Sequence, residues 1–207
     1  MDNHQIFLEN KFKKVAELIK ENSKVLDIGC NNGIFRNFIR NCEYYGVDID
    51  KNLVNELIKK NIKAKQADLN KDEIPFKNQK FDYILLLDIL EHVIDTKKLL
   101  LESKKRLNES GKIIITLPND YHFLNKIRFL FNKPITKDPF DPYGHLHYFS
   151  IKTGEKFLID NRFEILKKDI IPPTNPSFLP QFLKNFLAKI FPQSFARDIL
   201  YLLEPTD

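Results

Sequence analysis

With two cysteines in 207 residues, the chain has no disulfide framework. Cys30 and Cys42 also lack the clustered spacing of a metal knot. No apolar run approaches the ~20 residues that a bilayer span requires, and the N-terminus is polar from residue 2, without the pattern of a secretory signal. Together these absences give the expectation of a cytoplasmic protein that touches a membrane peripherally at most. The positive excess is small, +5 from 33 Lys and Arg against 28 Asp and Glu. The lysines are scattered through helical stretches, and no basic run is interleaved with stacking aromatics, so nucleic acid is not the expected partner. Internal repeats and low-complexity tracts are absent too. What remains, 43% hydrophobic and 29% charged residues, is the composition of an ordinary globular domain large enough to bury a full core.

The chain is organised around Lys24–Gly33. Lys24-Val-Leu-Asp-Ile28 reads as a short buried strand. It runs into Gly29 and Gly33, and Ile34, Phe35, Phe38 and Ile39 then suggest a helix reaching about Asn41. Strand, glycine turn and helix form the first half of a nucleotide-binding βαβ unit. Glycine suits the turn because a Cβ would obstruct both the bend and a ligand against its backbone.

The rest of the pattern extends that unit. A helix is expected within residues 1–22, with apolar positions from Ile6 to Ile19. Tyr44–Ile49 reads as a strand ending in Asp48, and Lys51–Lys60 as a helix that Asp50 caps. A third strand covers 63–67 and ends at Asp68. Phe81–Leu87 is apolar enough for a central strand buried on both faces. Asp95 or Thr96 caps the next helix, which Gly111 would end, and Lys112–Leu117 is a fifth strand. Helices are then expected at 121–131 and 151–161 and a strand at 162–171, with Ile199–Leu203 pairing antiparallel to it. The alternation implies a doubly wound, mostly parallel α/β sheet with ligands at the strands' C-terminal ends.

Asp27 selects the ligand in this reading. A carboxylate beside the glycine turn would repel a pyrophosphate and attract a ligand carrying an ammonium and a sulfonium. Val25-Leu-Asp-Ile-Gly-Cys-Asn-Asn-Gly33 resembles the first motif of the class I S-adenosylmethionine-dependent methyltransferases, Asp-x-Gly-x-Gly-x-Gly, with Asn31 at the middle glycine. Asn tolerates positive φ better than most residues. The resemblance covers Lys24 to about Phe163 and implies a seven-stranded sheet. It also implies S-adenosylmethionine as cofactor, S-adenosylhomocysteine as product, and a pocket formed by Asp27, Gly29, Cys30, Asn31, Gly33, Asp48, Ile49, Asp68, Leu69, Asp88 and His92. In that pocket Asp48 would accept from the ribose hydroxyls and Asp68 from the adenine amino group, with the Leu69 N–H serving a ring nitrogen.

Asp88-Ile-Leu-Glu-His-Val93 resembles the Glu-x-x-Glu-His segment of the ubiquinone-biosynthesis O-methyltransferases. In some of those enzymes these side chains bind a divalent ion. Two carboxylates and one imidazole suit Mg²⁺ poorly, so Glu91 and His92 are read as buttresses of the loop, and no metal is expected. Leu117-Pro-Asn119, the run from Phe129 to Thr136 and His145-Leu-His147-Tyr-Phe-Ser150 resemble methyltransferases of the MetW type. The two histidines either pin the proline-rich loop at 132–150 or supply the catalytic base, His147 by preference and His145 otherwise. Phe178, Phe182, Phe186 and Ile190 recur every four residues, which reads as a packing helix or lid inserted at 174–193, with contact to a hydrophobic acceptor or a membrane surface as the alternative.

The expected protein is therefore one methyltransferase domain over residues 1–207. It would move a methyl group from S-adenosylmethionine to an O or N nucleophile of a small-molecule acceptor, hydrophobic acceptors included. The alternative is a MetW-type binding partner of a biosynthetic enzyme, without methyl transfer of its own. A nicotinamide-dependent oxidoreductase is disfavoured by Asp27 and by the lack of a second catalytic-domain pattern.

Overall fold

Strand β4, Phe81–Leu87, forms the middle of the sheet, and its side chains are buried on both faces. Around it, the computed structural model describes residues 2–134 and 144–206. The other strands are β1 (Lys24–Ile28), β2 (Glu43–Asp48), β3 (Lys63–Gln66), β5 (Leu107–Pro118), β6 (Phe163–Ile171) and β7 (Asp198–Pro205). They form one seven-stranded sheet in the order β3-β2-β1-β4-β5-β7-β6. The first five strands run parallel, and β7 lies antiparallel to both β5 and β6. The doubly wound sheet and its antiparallel C-terminal strand match the sequence expectation.

Strand alternation divides the core between two layers. Leu26, Ile28, Ile84, Leu86, Ile113 and Ile115 pack under α3 (Thr96–Arg106) and α5 (Ile151–Asp160). Val25, Tyr83, Leu85 and Ile114 point the other way, beneath α1 (Asn3–Ala16) and α2 (Lys51–Lys59). Asp50 caps α2 by accepting from the Asn52 and Leu53 N–H groups, and Asp95 caps α3 by accepting from Lys98 N–H. In α1 the buried positions are Phe7, Lys11 and Val15, a four-residue period that puts a lysine on the apolar face.

Two local expectations are corrected. The segment after Gly33 is a 3-10 turn, Ile34–Phe38, and not a helix to Asn41. Phe35 and Phe38 are held edge-on by Phe12 of α1, each at 5.5 Å between centroids; Ile39 turns extended, and the chain returns at once to β2. Gly111 does not end α3, which stops at Arg106. It lies inside β5, where an added Cβ would stand 2.8 Å from the Phe81 carbonyl oxygen, so it permits a close approach between β5 and β4.

Beyond β5 come α4 (Phe123–Leu130), α6 (Gln181–Ile190) and the short α7 (Pro192–Phe195). Residues 135–143, including Pro139 and Pro142 of the proline-rich stretch, lie outside the described residues. Among the described residues no helix is long and apolar enough to cross a membrane.

Candidate active site

The turn after β1 builds the floor of a crevice at the C-terminal ends of β1, β2 and β4. Gly29 takes φ +79° and Gly33 +69°, and Asn31 between them takes +49°. The turn is tied to β2 because the Gly29 and Cys30 N–H groups both donate to the Val47 carbonyl, at 2.8 and 3.0 Å. The Asn31 N–H donates to Asp48 Oδ2 at 2.7 Å, and the Asn31 side chain folds back to accept from Asn32 N–H at 2.7 Å. Asparagine thus meets the left-handed backbone that the motif requires and turns its amide onto its own loop. A Cβ on Gly29 would come within 2.8 Å of Ile89 Cδ1, so only glycine keeps this wall open.

The crevice has a volume of about 320 Å³ and is lined by Gly29, Asp48, Ile49, Asp68, Leu69 and His92, together with Val47, Ala67, Asn70, Ile89 and Val93. Asp48 Oδ1 accepts from Asp50 N–H at 3.0 Å, so each carboxylate oxygen has one backbone partner and a second lone pair to offer. Asp68 is held below its usual carboxylate range by its hydrogen bond from Lys71. The Leu69 N–H has no acceptor among the described residues. Paired acceptors on one wall, a donor beside an acid on the other and apolar surface between them fit an adenosine.

The other residues named for this pocket lie elsewhere. Asp27 is buried in β1, on the same face as Val25, and accepts from the Tyr44 hydroxyl at 2.6 Å. Burial pushes its carboxyl up to about 7, against the opposing Tyr44 hydrogen bond. It does not line the crevice, whose acidic wall residues are Asp48 and Asp68. Cys30 is buried against Gly46, and burial pushes its thiol well up. Gly33 shapes the turn by donating to the Cys30 carbonyl at 2.8 Å.

Asp88 opens onto a second space. This polar chamber of about 350 Å³ shares His92 with the crevice and is walled by Asp88, Glu91, Asp120, His145, Asp198 and, from α1, His4, Phe7, Leu8 and Lys11. Asp88 takes φ +53° and is clamped by Thr116, whose hydroxyl donates to Asp88 Oδ1 at 2.6 Å and accepts from its N–H at 3.0 Å. The Lys11 ammonium donates to Asp88 and, at 2.8 Å, to Asp198. Burial disfavours the Lys11 charge, but the two carboxylates outweigh it and hold the group above its ordinary pKa. Asp198 is pushed up to about 6 by burial and then by Asp88, and Glu91 to about 9 by the same two causes. Burial and the neighbouring Asp88 thus favour the protonated form of Glu91, and its Oε2 has no hydrogen-bond partner among the described residues.

The two histidines have different positions. The Glu91 carbonyl clips their loop by accepting from the Leu146 and His147 N–H groups at 2.7 and 3.2 Å. His147 Nε2 donates to the Val93 carbonyl at 2.9 Å, and this side chain does not line the chamber. His145 does line it, and its Nδ1 donates to Asp120 Oδ1 at 3.2 Å. Asp120 is itself fixed by accepting from Phe149 N–H at 2.8 Å. The His145–Asp120 hydrogen bond, against a smaller opposing effect of burial, raises the His145 pKa. Ligand atoms of Glu91, His92 and His145 all fall within 4.8 Å of one another, close enough for one ion to bridge them.

Lys11, Asp120, Asp198 and Arg197 were not singled out by the sequence. The lysine on the apolar face of α1 was one available signal. Asp120, just past the C-terminal end of a parallel strand, was another.

A family model described as a methyltransferase domain matches residues 3–168. The chain is 31% identical over 142 residues to an uncharacterized protein of Methanocaldococcus jannaschii, covering 64% of this chain and 61% of that one. It is 38% identical over 104 residues to a tRNA U34 carboxymethyltransferase of Nautilia profundicola, covering 46% of this chain and 34% of the relative. The chain thus spans about 60% of the first relative's length and less of the second. In fold it resembles a methyltransferase solved in complex with the Trm112 activator of Haloferax volcanii. That likeness has a TM-score of 0.66 at 11% identity and covers 97% of this chain and 90% of the other.

Proposed function

The chain belongs to the S-adenosylmethionine-dependent methyltransferases, and from that premise we propose that it methylates a hydroxyl or amine of a small-molecule acceptor held in the polar chamber. When bound, the cofactor supplies a methyl group already activated by a positively charged sulfur. The chain's own part is grip, alignment, exclusion of water and removal of a proton. Asp48 accepts from the ribose hydroxyls; Asp68 and the Leu69 N–H read the adenine edge. Phe7 and Leu8 of α1 cover one wall of the chamber, and Lys11 holds Asp88 in its left-handed conformation beside the crevice.

The base in this reading is His145 and not His147. With Nδ1–H donated to Asp120, the lone pair resides on Nε2, and the imidazole forms part of the chamber wall. The single observation that carries the proposal is this Asp120–His145 pair in a chamber joined to the adenosine-shaped crevice through His92.

The test uses S-adenosylmethionine labelled in its methyl group, offered with cell extract separated into small-molecule, RNA and protein fractions. Label should enter the small-molecule fraction with the wild-type chain and fall at least 10²-fold with His145→Gln. Label entering RNA or protein instead would contradict the proposed acceptor class.

A further inference from the structure

A third cavity continues the chamber away from the crevice. It is an apolar groove of about 380 Å³ between α4 and α6, with Leu124, Pro173, Phe178, Leu187 and Phe195 among its walls. His122 and Arg197 belong to both the groove and the chamber, so the two spaces meet at a neck formed by an imidazole and a guanidinium. Burial lowers the His122 pKa, which favours the neutral ring at this neck. Arg197 is fixed there with its guanidinium over the Phe7 ring, 3.6 Å from the centroid. Phe123 stacks on Phe195 at 5.4 Å between centroids, joining α4 to α7.

Of the two cations in the described wall, Arg197 stands at the neck, and Lys184 is buried and turned onto the backbone carbonyls of Thr174 and Pro176, so the groove beyond the neck presents no free lysine charge to an occupant. Phe178 stands 82% exposed at the rim. From Pro173 to Arg197 the walls lie beyond residue 168, where the family match ends.

We infer that the groove is the tail site for a single-chain amphiphilic acceptor, whose polar head enters the chamber while its hydrocarbon tail lies between α4 and α6. This rests on the chamber being the acceptor site. Crevice, chamber and groove are joined in series by shared walls, and their character runs from adenosine-shaped to polar to apolar. A small polar acceptor would fill the chamber and leave the groove exposed to water, at a cost that scales with its apolar area. An amphiphile of one chain matches both spaces at once.

The chain contains no tryptophan, so Phe178→Trp provides a single fluorescent reporter at the rim. The probes are 4-alkylphenols with tails of two to nine carbons, titrated with S-adenosylmethionine binding followed in parallel by calorimetry. Affinity should rise about fourfold per added methylene. In the reporter background, Leu187→Glu should weaken the longest probe at least 10-fold, as should Leu124→Glu should the first variant fold poorly. Leu130→Glu, at an 81% exposed position, should leave binding unchanged. Affinity independent of tail length, or an equal loss in all three glutamate variants, would overturn the inference. So would a tryptophan shift that follows protein concentration, or one produced only by phospholipid vesicles, because a second copy or a membrane would then be the occupant. Loss of S-adenosylmethionine binding with tail-dependent probe binding intact would overturn the proposed enzyme activity and leave the tail site standing.

Discussion

Lys11, in the third turn of the first helix, and Asp198, opening the last strand, meet at 2.8 Å inside the molecule with Asp88 on the same ammonium. A buried cation shared by two carboxylates links the N-terminal helix to the loop beside the crevice. Removing one member of such a cluster costs more than the cluster itself contributes, because the others stay buried without compensation. Lys11→Met should therefore destabilise the fold by about 3–5 kcal/mol near pH 8 in urea unfolding. With Asp198 pushed up to about 6, the cost should shrink below pH 6, where that carboxyl takes a proton. A loss independent of pH would show that packing, and not charge, sets the position.

Glu91 gives a prediction of opposite sense. Its carboxyl is pushed up to about 9 from an ordinary 4.5, so between those values the folded state holds a proton that the unfolded chain has released. Stability then falls as pH rises through this window, by at most about 1.4 kcal/mol per pH unit. Glu91→Gln keeps the shape of the neutral acid and removes the slope. Thermal midpoints of variant and wild type should coincide near pH 4.5 and separate by several degrees at pH 8, with the variant higher. Parallel curves would mean that Glu91 ionises normally.

The Asp120–His145 pair sets a pH profile. A histidine whose folded pKa is raised contributes stability in full below its unfolded value, near 6.5, and loses it as pH rises through the folded value. The base is competent only above that folded value. Asp120→Asn should move the rising limb of the rate profile to lower pH and reduce the plateau about 10-fold or more. It should also lower stability more at pH 5.5 than at pH 8.5. An unmoved limb would remove His145 from proton transfer.

Gly29→Ala tests the turn. At φ +79°, with Ile89 Cδ1 only 2.8 Å from the added carbon, the substitution should cost about 1–2 kcal/mol in denaturant unfolding. It should also reduce cofactor binding at least 10-fold. Unchanged binding would mean that the crevice wall tolerates a side chain there.

How much of this was legible follows from how local each cause is. Phe81–Leu87 is apolar over its whole length, and the strand occupies those residues. The Asp50 and Asp95 caps depend on neighbours within three positions, and both are in place. The helix expected after Gly33 failed because Phe12, more than twenty residues away, holds Phe35 and Phe38. Asp27 was read as facing the ligand because it adjoins the glycine turn, although strand alternation puts it on the face of Val25, beneath the helices. The Lys11 cluster joins residues 77 and 187 positions apart, a closeness that no spacing rule carries. The groove depends on α4, α6 and α7 meeting, and the phenylalanine stripe alone did not reveal which side was walled.

Calorimetric titration of the intact chain with S-adenosylmethionine and with S-adenosylhomocysteine, repeated on Asp48→Ala, tests the central claim most directly. Both compounds should bind one to one at micromolar concentrations, and Asp48→Ala should weaken both at least 10-fold while NAD gives no heat with either protein. Wild-type chain that takes up neither compound, or an Asp48→Ala variant that binds them as well as wild type, would contradict the assignment of the crevice.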